Sequence, residues 1–445
     1  MTTMKGASTR QRTVAQTSPR EKSLLRIVAQ GLVPQSQAPD PVEAVRRQLA
    51  VQGQQPSAVP HAVLSRVPVG LTRTDVDNAF ETGALVRSWP MRGTVHITTA
   101  ADHHWVRTAL AHRMDTWMEA DRERYGFTEA VLGRAGSTAL AALETARQDG
   151  RQGLSRAELM AAWRDEGVLS LLVAAGMPEG YARRHLILAL HVTGVLVQGP
   201  RRGNEHLVTD ATRLPHAGTG PGGSGGCARG TEGHRAALAE IARRYATSHG
   251  PVSAADLARW TTLPAGESRR ALEDAVELSN AVDFGSGEDR ASERGLVPLV
   301  RAVAEGGDRG RVRVLERQAG AVGAASSSLQ RREGEVLYMR ADLPDLLAQA
   351  RTAAQGTLFL ASFDELHVGY KDRVCLTDAA GERLICPSMN GMFRPILVDR
   401  GRVVAVRPVG QGLIWAEGAR RSGRLEAGVE RAIDRMEVRL AGVAG

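Results

Sequence analysis

One seven-residue pattern occurs three times in this chain: Gly70-Leu71-Thr72-Arg73-Thr74-Asp75-Val76, Gly153-Leu154-Ser155-Arg156-Ala157-Glu158-Leu159 and Pro251-Val252-Ser253-Ala254-Ala255-Asp256-Leu257. Each copy runs turn residue, aliphatic, Ser or Thr, two further residues, acid, aliphatic. A hydroxyl at the N-cap satisfies an amide of the first turn, and an acid three residues later reaches back to the cap's own N–H, so the pattern dictates a helix start. Three copies at intervals of roughly eighty to a hundred residues predict three related modules.

The second and third copies continue alike. Pro178-Glu179-Gly180-Tyr181-Ala182-Arg183-Arg184 parallels Pro264-Ala265-Gly266-Glu267-Ser268-Arg269-Arg270, each opening another helix with an arginine pair in its second turn. Helices are also expected before both, over 137–148 and 233–248. In the second module a ribbon follows: 195–198 runs into 199–204, and 205–209 returns, which places Arg201 and Arg202 at the tip. Helix, short capped helix, arginine-bearing helix and ribbon is the order of a winged helix, in which a helix enters the major groove and the wing touches backbone. The arginines Arg183, Arg184, Arg201, Arg202, Arg269 and Arg270 are therefore candidate DNA contacts, although arginine pairs on helices are commonly solvated surface.

The expected architecture is α+β, mainly α with β-wings. It has a basic tail (1–22), modules over 23–125, 126–215 and 234–330 with a glycine-rich linker (216–233) before the third, a β-rich domain (331–420) and a terminal helix (421–445). Strands are expected at 335–340, 357–360, 384–386, 395–398 and 403–406, and an amphipathic helix over 422–440 with Leu425, Val429, Ile433 and Met436 on one face. The linker has no GxxxxGK[ST] pattern and is no phosphate cradle.

A formal charge of +8 and a pI near 10.0 favour an anionic partner. Lys5, Lys22 and Lys371 are the only lysines among 57 cationic side chains. Arginine suits phosphates and base edges, and a GC-rich genome would produce the same bias. Three cysteines without a CxxC pair predict neither a disulfide framework nor a zinc site, and fit a reduced cytoplasmic setting. No run long enough to span a membrane and no signal-peptide core is visible.

The candidate chemistry lies at Gln52-Gly53-Gln54-Gln55-Pro56, expected to close a helix over 42–51. The stretch carries no carboxylate, histidine or thiol. An amide donates and accepts hydrogen bonds but is no useful base, so Gln52 and Gln54 can act only by positioning water for a substrate that is already activated. Downstream, residues 85–97 alternate as a strand with Arg92 and His96 on one face. His96 is a candidate general base, phosphate contact or partner of a backbone group, and the last is the default for a half-buried histidine. His103 and His104 lack the acid and cysteine company of a metal site, so no metal or cofactor is expected.

The Gln52-Gly53-Gln54 motif, Leu71-Thr72-Arg73-Thr74-Asp75-Val76, the string from Val86 to His96, Ser362-Phe363-Asp364-Glu365-Leu366-His367-Val368-Gly369-Tyr370-Lys371-Asp372-Arg373 and Arg394-Pro395-Ile396-Leu397-Val398-Asp399 together resemble the winged-helix DNA glycosylases of the AlkZ/YcaQ type. The resemblance covers roughly residues 23–415. It implies a monofunctional DNA glycosylase of tandem winged helices that excises bulky N-alkylpurines or unhooks crosslinks in duplex DNA, often for self-resistance to an alkylating natural product. It assigns Gln52 and Gln54 as catalytic and brings Asp364, Tyr370 and Arg373 near DNA, where a structural role is equally open. Gly53 stands where the family commonly has an aliphatic residue, and predicts a looser backbone. Alkylation at purine N7 or N3 leaves a positive charge that weakens the glycosidic bond, so two oriented amides suffice to place water and support the developing oxocarbenium ion. A monomer in the cytoplasm, nucleoid-associated when bound to DNA, is expected. The rival reading is a non-catalytic winged-helix DNA-binding protein such as a transcription regulator, against which three unequal modules in one chain argue.

Overall fold

A computed structural model describes residues 21–215, 221, 226–227, 229–281, 297–305, 311–315 and 335–442. Residues 1–20 of the expected tail and most of the expected linker lie outside these.

The first unit contains α1 (Glu21–Ala29), α2 (Pro41–Gln48), β1 (Val51–Gln52), α3 (Val59–Leu64), α4 (Arg73–Glu81), the hairpin β2 (Leu85–Met91) and β3 (Thr94–Thr99), then α5 (Ala100–Ala109) and α6 (His112–Tyr125). The second runs α7 (Glu129–Gln148), α8 (Arg156–Asp165), α9 (Val168–Ala174), α10 (Glu179–Val192) and the ribbon β4 (Leu196–Arg202) and β5 (Glu205–Asp210). Then come α11 (Glu232–His249), β6 (Val252–Ser253), α12 (Ala254–Thr261), α13 (Ala265–Ala281), β7 (Leu299–Glu305), β8 (Arg311–Val314) and β9 (Val336–Arg340). The chain closes with α14 (Leu343–Ala354), β10 (Thr357–Leu360), α15 (Glu365–Val368), α16 (Ala379–Ile385), β11 (Ile396–Asp399), β12 (Arg402–Val406), β13 (Ile414–Trp415) and α17 (Gly423–Leu440).

The mixed α+β class is as expected, and the three repeats are all helix starts. The N–H of Thr72 donates to Asp75 at 2.7 Å, that of Ser155 to Glu158 at 2.7 Å and that of Ser253 to Asp256 at 3.0 Å. Three expectations fail locally: the single strand expected over 85–97 is folded at Arg92 and Gly93, both at positive φ, into the hairpin β2 and β3, and two others concern helix ends. Residues 384–386, an apolar triplet that reads as a strand, end α16 instead, because Asp378 caps that helix by accepting from the N–H of Gly381 at 2.9 Å. Residues 42–51 are not one helix: α2 stops at Gln48, Leu49 takes a positive φ of 64°, and Val51 and Gln52 leave as a strand.

The ribbons of the first two units merge into one antiparallel sheet in the order β1-β3-β2-β4-β5, joined between β2 and β4 at the pair Arg87 and Gln198. Two further sheets have the orders β6-β9-β7-β8 and β10-β11-β12-β13. Packing ignores the boundary expected near residue 330. Leu24, Ile27 and Val28 of α1 share a core with Met339, Leu347 and Val398, while Val45, Val51 and Ile97 share one with Phe359, Leu397, Val429 and Met436. The C-terminal elements thus close over the glutamine strand.

Two buried arginines fasten this arrangement. Arg66 forks onto Asp364 at 2.9 and 3.0 Å and reaches Gln30 Oε1 at 2.6 Å. Arg26 meets Asp256 at 3.3 Å and the carbonyl of Asp372 at 2.7 Å, with its guanidinium 3.7 Å from the Tyr370 ring centroid. Removing one member of such a pair strands the other charge in the core. Arg66→Leu should therefore lower unfolding free energy by about 3–5 kcal/mol in a urea titration, and adding Asp364→Asn should recover part of that loss.

Candidate active site

Because α2 ends at Gln48 and Leu49 turns the chain at positive φ, the glutamine motif is laid against the edge of β3, with Val51 opposite Ile97 and Gln52 opposite His96. Gly53 donates its N–H to the carbonyl of Val95 at 2.8 Å, and its own carbonyl accepts from Arg87 Nε at 3.0 Å. Both polar groups of this peptide are therefore held, and the looser backbone expected at Gly53 is not found. A Cβ there would sit 3.0 Å from Ile97 Cδ1, so the glycine lets the strand lie close. Arg87 also donates to Gln198 Oε1, and burial lowers its guanidinium to about 10, still a cation at neutral pH.

The glutamine side chains are oriented by backbone donors. The N–H of Gln54 reaches Gln52 Oε1 at 2.6 Å, and the N–H of Val95 faces Gln54 Oε1 at 3.4 Å. An N–H requires an acceptor opposite it, which fixes the carbonyl end of each amide. Each oxygen keeps a second lone pair for a water. Gln54 is exposed and Gln52 half-buried, so the pair forms a polar lip on a rigid strand.

Beneath it lies a group that sequence reasoning did not single out. Glu365, at the start of α15 and 0% exposed, accepts the backbone N–H of Gln52 at 3.0 Å and Trp260 Nε1–H at 3.1 Å, with His249 Nε2 at 3.4 Å. Burial alone would raise its pKa, but the hydrogen bond and charge of His249, followed by the charge of Arg92, hold the carboxyl at about 2. It is a fixed anion with its oxygens engaged. Its signal in the sequence was only an acid within the Asp364-Glu365-Leu366-His367 string.

Arg92 and His96 do come together. Arg92, at φ 60° in the hairpin turn, donates to His96 Nε2 at 2.9 Å, and His96 Nδ1–H donates to the Thr94 carbonyl at 2.9 Å. His96 is fully buried, and burial followed by the Arg92 charge lowers its pKa to about 3. It is neutral and saturated, which removes the general-base and phosphate-contact readings and leaves the backbone-partner role.

A family model for AlkZ-like DNA glycosylases matches residues 45–317, a span that takes in Gln52, Gln54 and the β2–β3 hairpin. The chain belongs to the AlkZ-like DNA glycosylase family. The solved structure of Streptomyces sahachiroi DNA glycosylase AlkZ has a similar fold, with a TM-score of 0.61 at 21% identity over 96% of this chain and 98% of that one. No curated protein matches the sequence. Among the described residues no helix is long and apolar enough to cross a membrane.

In this AlkZ-like glycosylase the other expected DNA contacts do not converge on the glutamines. Tyr370 is corrected to a core residue: it is 0% exposed, its hydroxyl donates to the His249 carbonyl at 2.9 Å, and its ring lies under Arg26. Arg373 pairs with Glu382 at 3.2 Å, Arg183 with Glu179, and Arg202 with Glu81 and, at 2.7 Å, Gln152. Arg201 folds back onto the Gly203 carbonyl at 2.8 Å. Arg269 and Arg270 are exposed on α13, and Arg184 borders a cleft of about 410 Å³ that Pro56, Arg87 and Trp89 also line.

The sign of the Glu365 shift sets a pH signature. Its folded pKa lies below the ordinary 4.5, so its contribution is present above that value and is lost as pH falls towards 2. Glu365→Gln should be less stable than the parent by about 1.5–3 kcal/mol at pH 7. Urea titrations should show this gap closing between pH 4.5 and pH 2, and a gap independent of pH would contradict the charged assignment.

Proposed function

We propose that the protein is a monofunctional DNA glycosylase that hydrolyses the N-glycosidic bond of N7-alkylguanine or N3-alkyladenine in duplex DNA, bulky adducts and crosslinks included. One observation carries this reading: around the glutamine pair every candidate base is already engaged. Glu365 is buried under three donors, and His96 is neutral with both ring nitrogens bonded. A site without a free acid or base can serve a substrate whose leaving group already carries positive charge, and not an ordinary nucleoside.

In the proposed reaction a water donates to the open lone pairs of Gln52 and Gln54 and is held at the face opposite the departing base. The same carbonyl oxygens and the anion of Glu365 beneath them favour the positive charge growing on the sugar. The alkylated base leaves as a neutral purine, water attacks the anomeric carbon, and its proton passes to solvent. No amine of the protein attacks the sugar, which makes the reaction monofunctional. We assign the protein to the cytoplasm, as a monomer on nucleoid DNA, with protection against a DNA-alkylating natural product as its role.

The purified protein should release free modified base from duplex containing N7-methylguanine or a bulkier N7 adduct, leaving an abasic site that breaks only with alkali. Gln54→Ala should slow single-turnover release by about 10²–10³-fold while lesion affinity stays within a few-fold. Tight binding with no base release from any alkylated purine would instead support a DNA-binding regulator.

A further inference from the structure

Where the ribbons of the first two units join, Arg87 lies on β2 with only 7% of its surface exposed. It gives Nε–H to the Gly53 carbonyl at 3.0 Å and Nη1–H to Gln198 Oε1 on β4, and both acceptors are neutral. Among the described residues its Nη2 has no hydrogen-bond partner and its guanidinium faces no carboxylate. The buried arginines of the scaffold differ: Arg26 and Arg66 each meet an aspartate. A charge withdrawn from water is ordinarily paired, so Arg87 is poised to take an anion from outside the chain.

The cleft of about 410 Å³ beside it gives such an anion a way in. Arg87 is its buried floor. Arg156 at the start of α8 and Arg184 on α10 are exposed at its rim, and neither is ion-paired among the described residues. One carboxylate, Glu205, borders the same space, and it accepts the Arg156 N–H at 2.9 Å. His206 on the same wall is neutral, because burial lowers it to about 4. Three guanidiniums facing one carboxylate repel a cationic alkylpurine and attract a phosphodiester. Trp89 and Ile187 add an apolar wall for the deoxyribose beside that phosphate.

We propose that this cleft seats a phosphodiester of the damaged strand beside the lesion, with Arg87 beneath it and Arg156 and Arg184 flanking it. This rests on the reading of the chain as a DNA glycosylase. The reach of the guanidinium sets the register. With Nε held on the Gly53 carbonyl oxygen, a phosphate oxygen on Nη2 lies no more than about 8 Å from that carbonyl, roughly two base steps of one strand. Pro56, two residues beyond Gln54, lines the same cleft. Phosphate contacts fix position rather than read sequence. One side chain thus holds the peptide between Gln52 and Gln54 and the strand that carries the sugar, which makes Arg87 a positioning residue for the reaction.

The test uses the full chain and a duplex carrying a cleavage-resistant 2′-fluoroarabino N7-methylguanine, in which one phosphate at a time is replaced by an uncharged methylphosphonate. With the parent, one replacement on the lesion strand, within two nucleotides of the lesion, should weaken binding about 10-fold. Arg184→Met and Arg87→Met should each weaken binding of the all-phosphate duplex. The same replacement should then cost either variant less than about 3-fold, while penalties at other positions stay as in the parent. Arg184 is exposed, so its variant keeps the fold and carries the test even if Arg87→Met melts early. A parental penalty that persists in either folded variant, or an arginine-dependent penalty on the opposite strand or farther along, would overturn the site. Base release by the parent from the cleavable duplex without any arginine-dependent position sinks the phosphate site alone. An arginine-dependent position without base release by the parent sinks the glycosylase reading and leaves the phosphate site standing.

Discussion

A single hydrogen bond from the Gln52 backbone to the Glu365 carboxylate is the constraint on which the site depends. A motif of neutral amides has no charge of its own to fix its position, and two residues of edge strand are too short to be rigid alone. The buried anion supplies the missing rigidity, because an ionised carboxylate without its donors would be intolerable in that core. It anchors the backbone and leaves the side chains free, and that division of labour lets a soft, uncharged pair act as an oriented one.

The same economy recurs where the units meet. Asp256 caps its own helix through Ser253, and its oxygens also take the N–H groups of Lys371 and Asp372 and the guanidinium of Arg26. A residue that secures a local helix start also ties that helix to the loop carrying the second half of the site. Asp364 likewise accepts the Leu366 N–H at the start of α15 while forking with Arg66. Neighbouring acids at 364 and 365 thus turn one short helix into a double clamp, one arm on the scaffold and one on the glutamines.

What the sequence disclosed followed the range of the interaction. Caps such as Thr72 with Asp75 act within one turn and were readable as strings, as was the amphipathic face from Leu425 to Met436, whereas residues 85–97 read as one strand and are a hairpin, because alternation continues across a two-residue turn. The glutamine pair stood out as a candidate because its lack of acid and base chemistry is itself a chemical statement. The partner of Gln52 was not, since Glu365 lies 313 residues away and an acid in a string gives no hint of which N–H it will meet. Tyr370 was misplaced for the same reason: the resemblance set it near DNA, and nothing in its own string shows that Arg26 stacks on its ring in the core. The fusion of two ribbons through Arg87 and Gln198 leaves no periodic trace, because it needs only one cross-strand pair.

The closing of β10, β11 and α17 over the glutamine strand bears on how the molecule is made. Synthesis delivers Gln52 313 residues before Glu365, and the core residues Phe359, Leu397, Val429 and Met436 lie comparably far downstream of Gln52. A chain that lacks residue 365 holds the glutamines without the anion that aligns the Gln52 backbone. The glutamine strand therefore reaches its final form only once the elements around residue 365 have been made, and a product truncated before them carries the motif without its clamp.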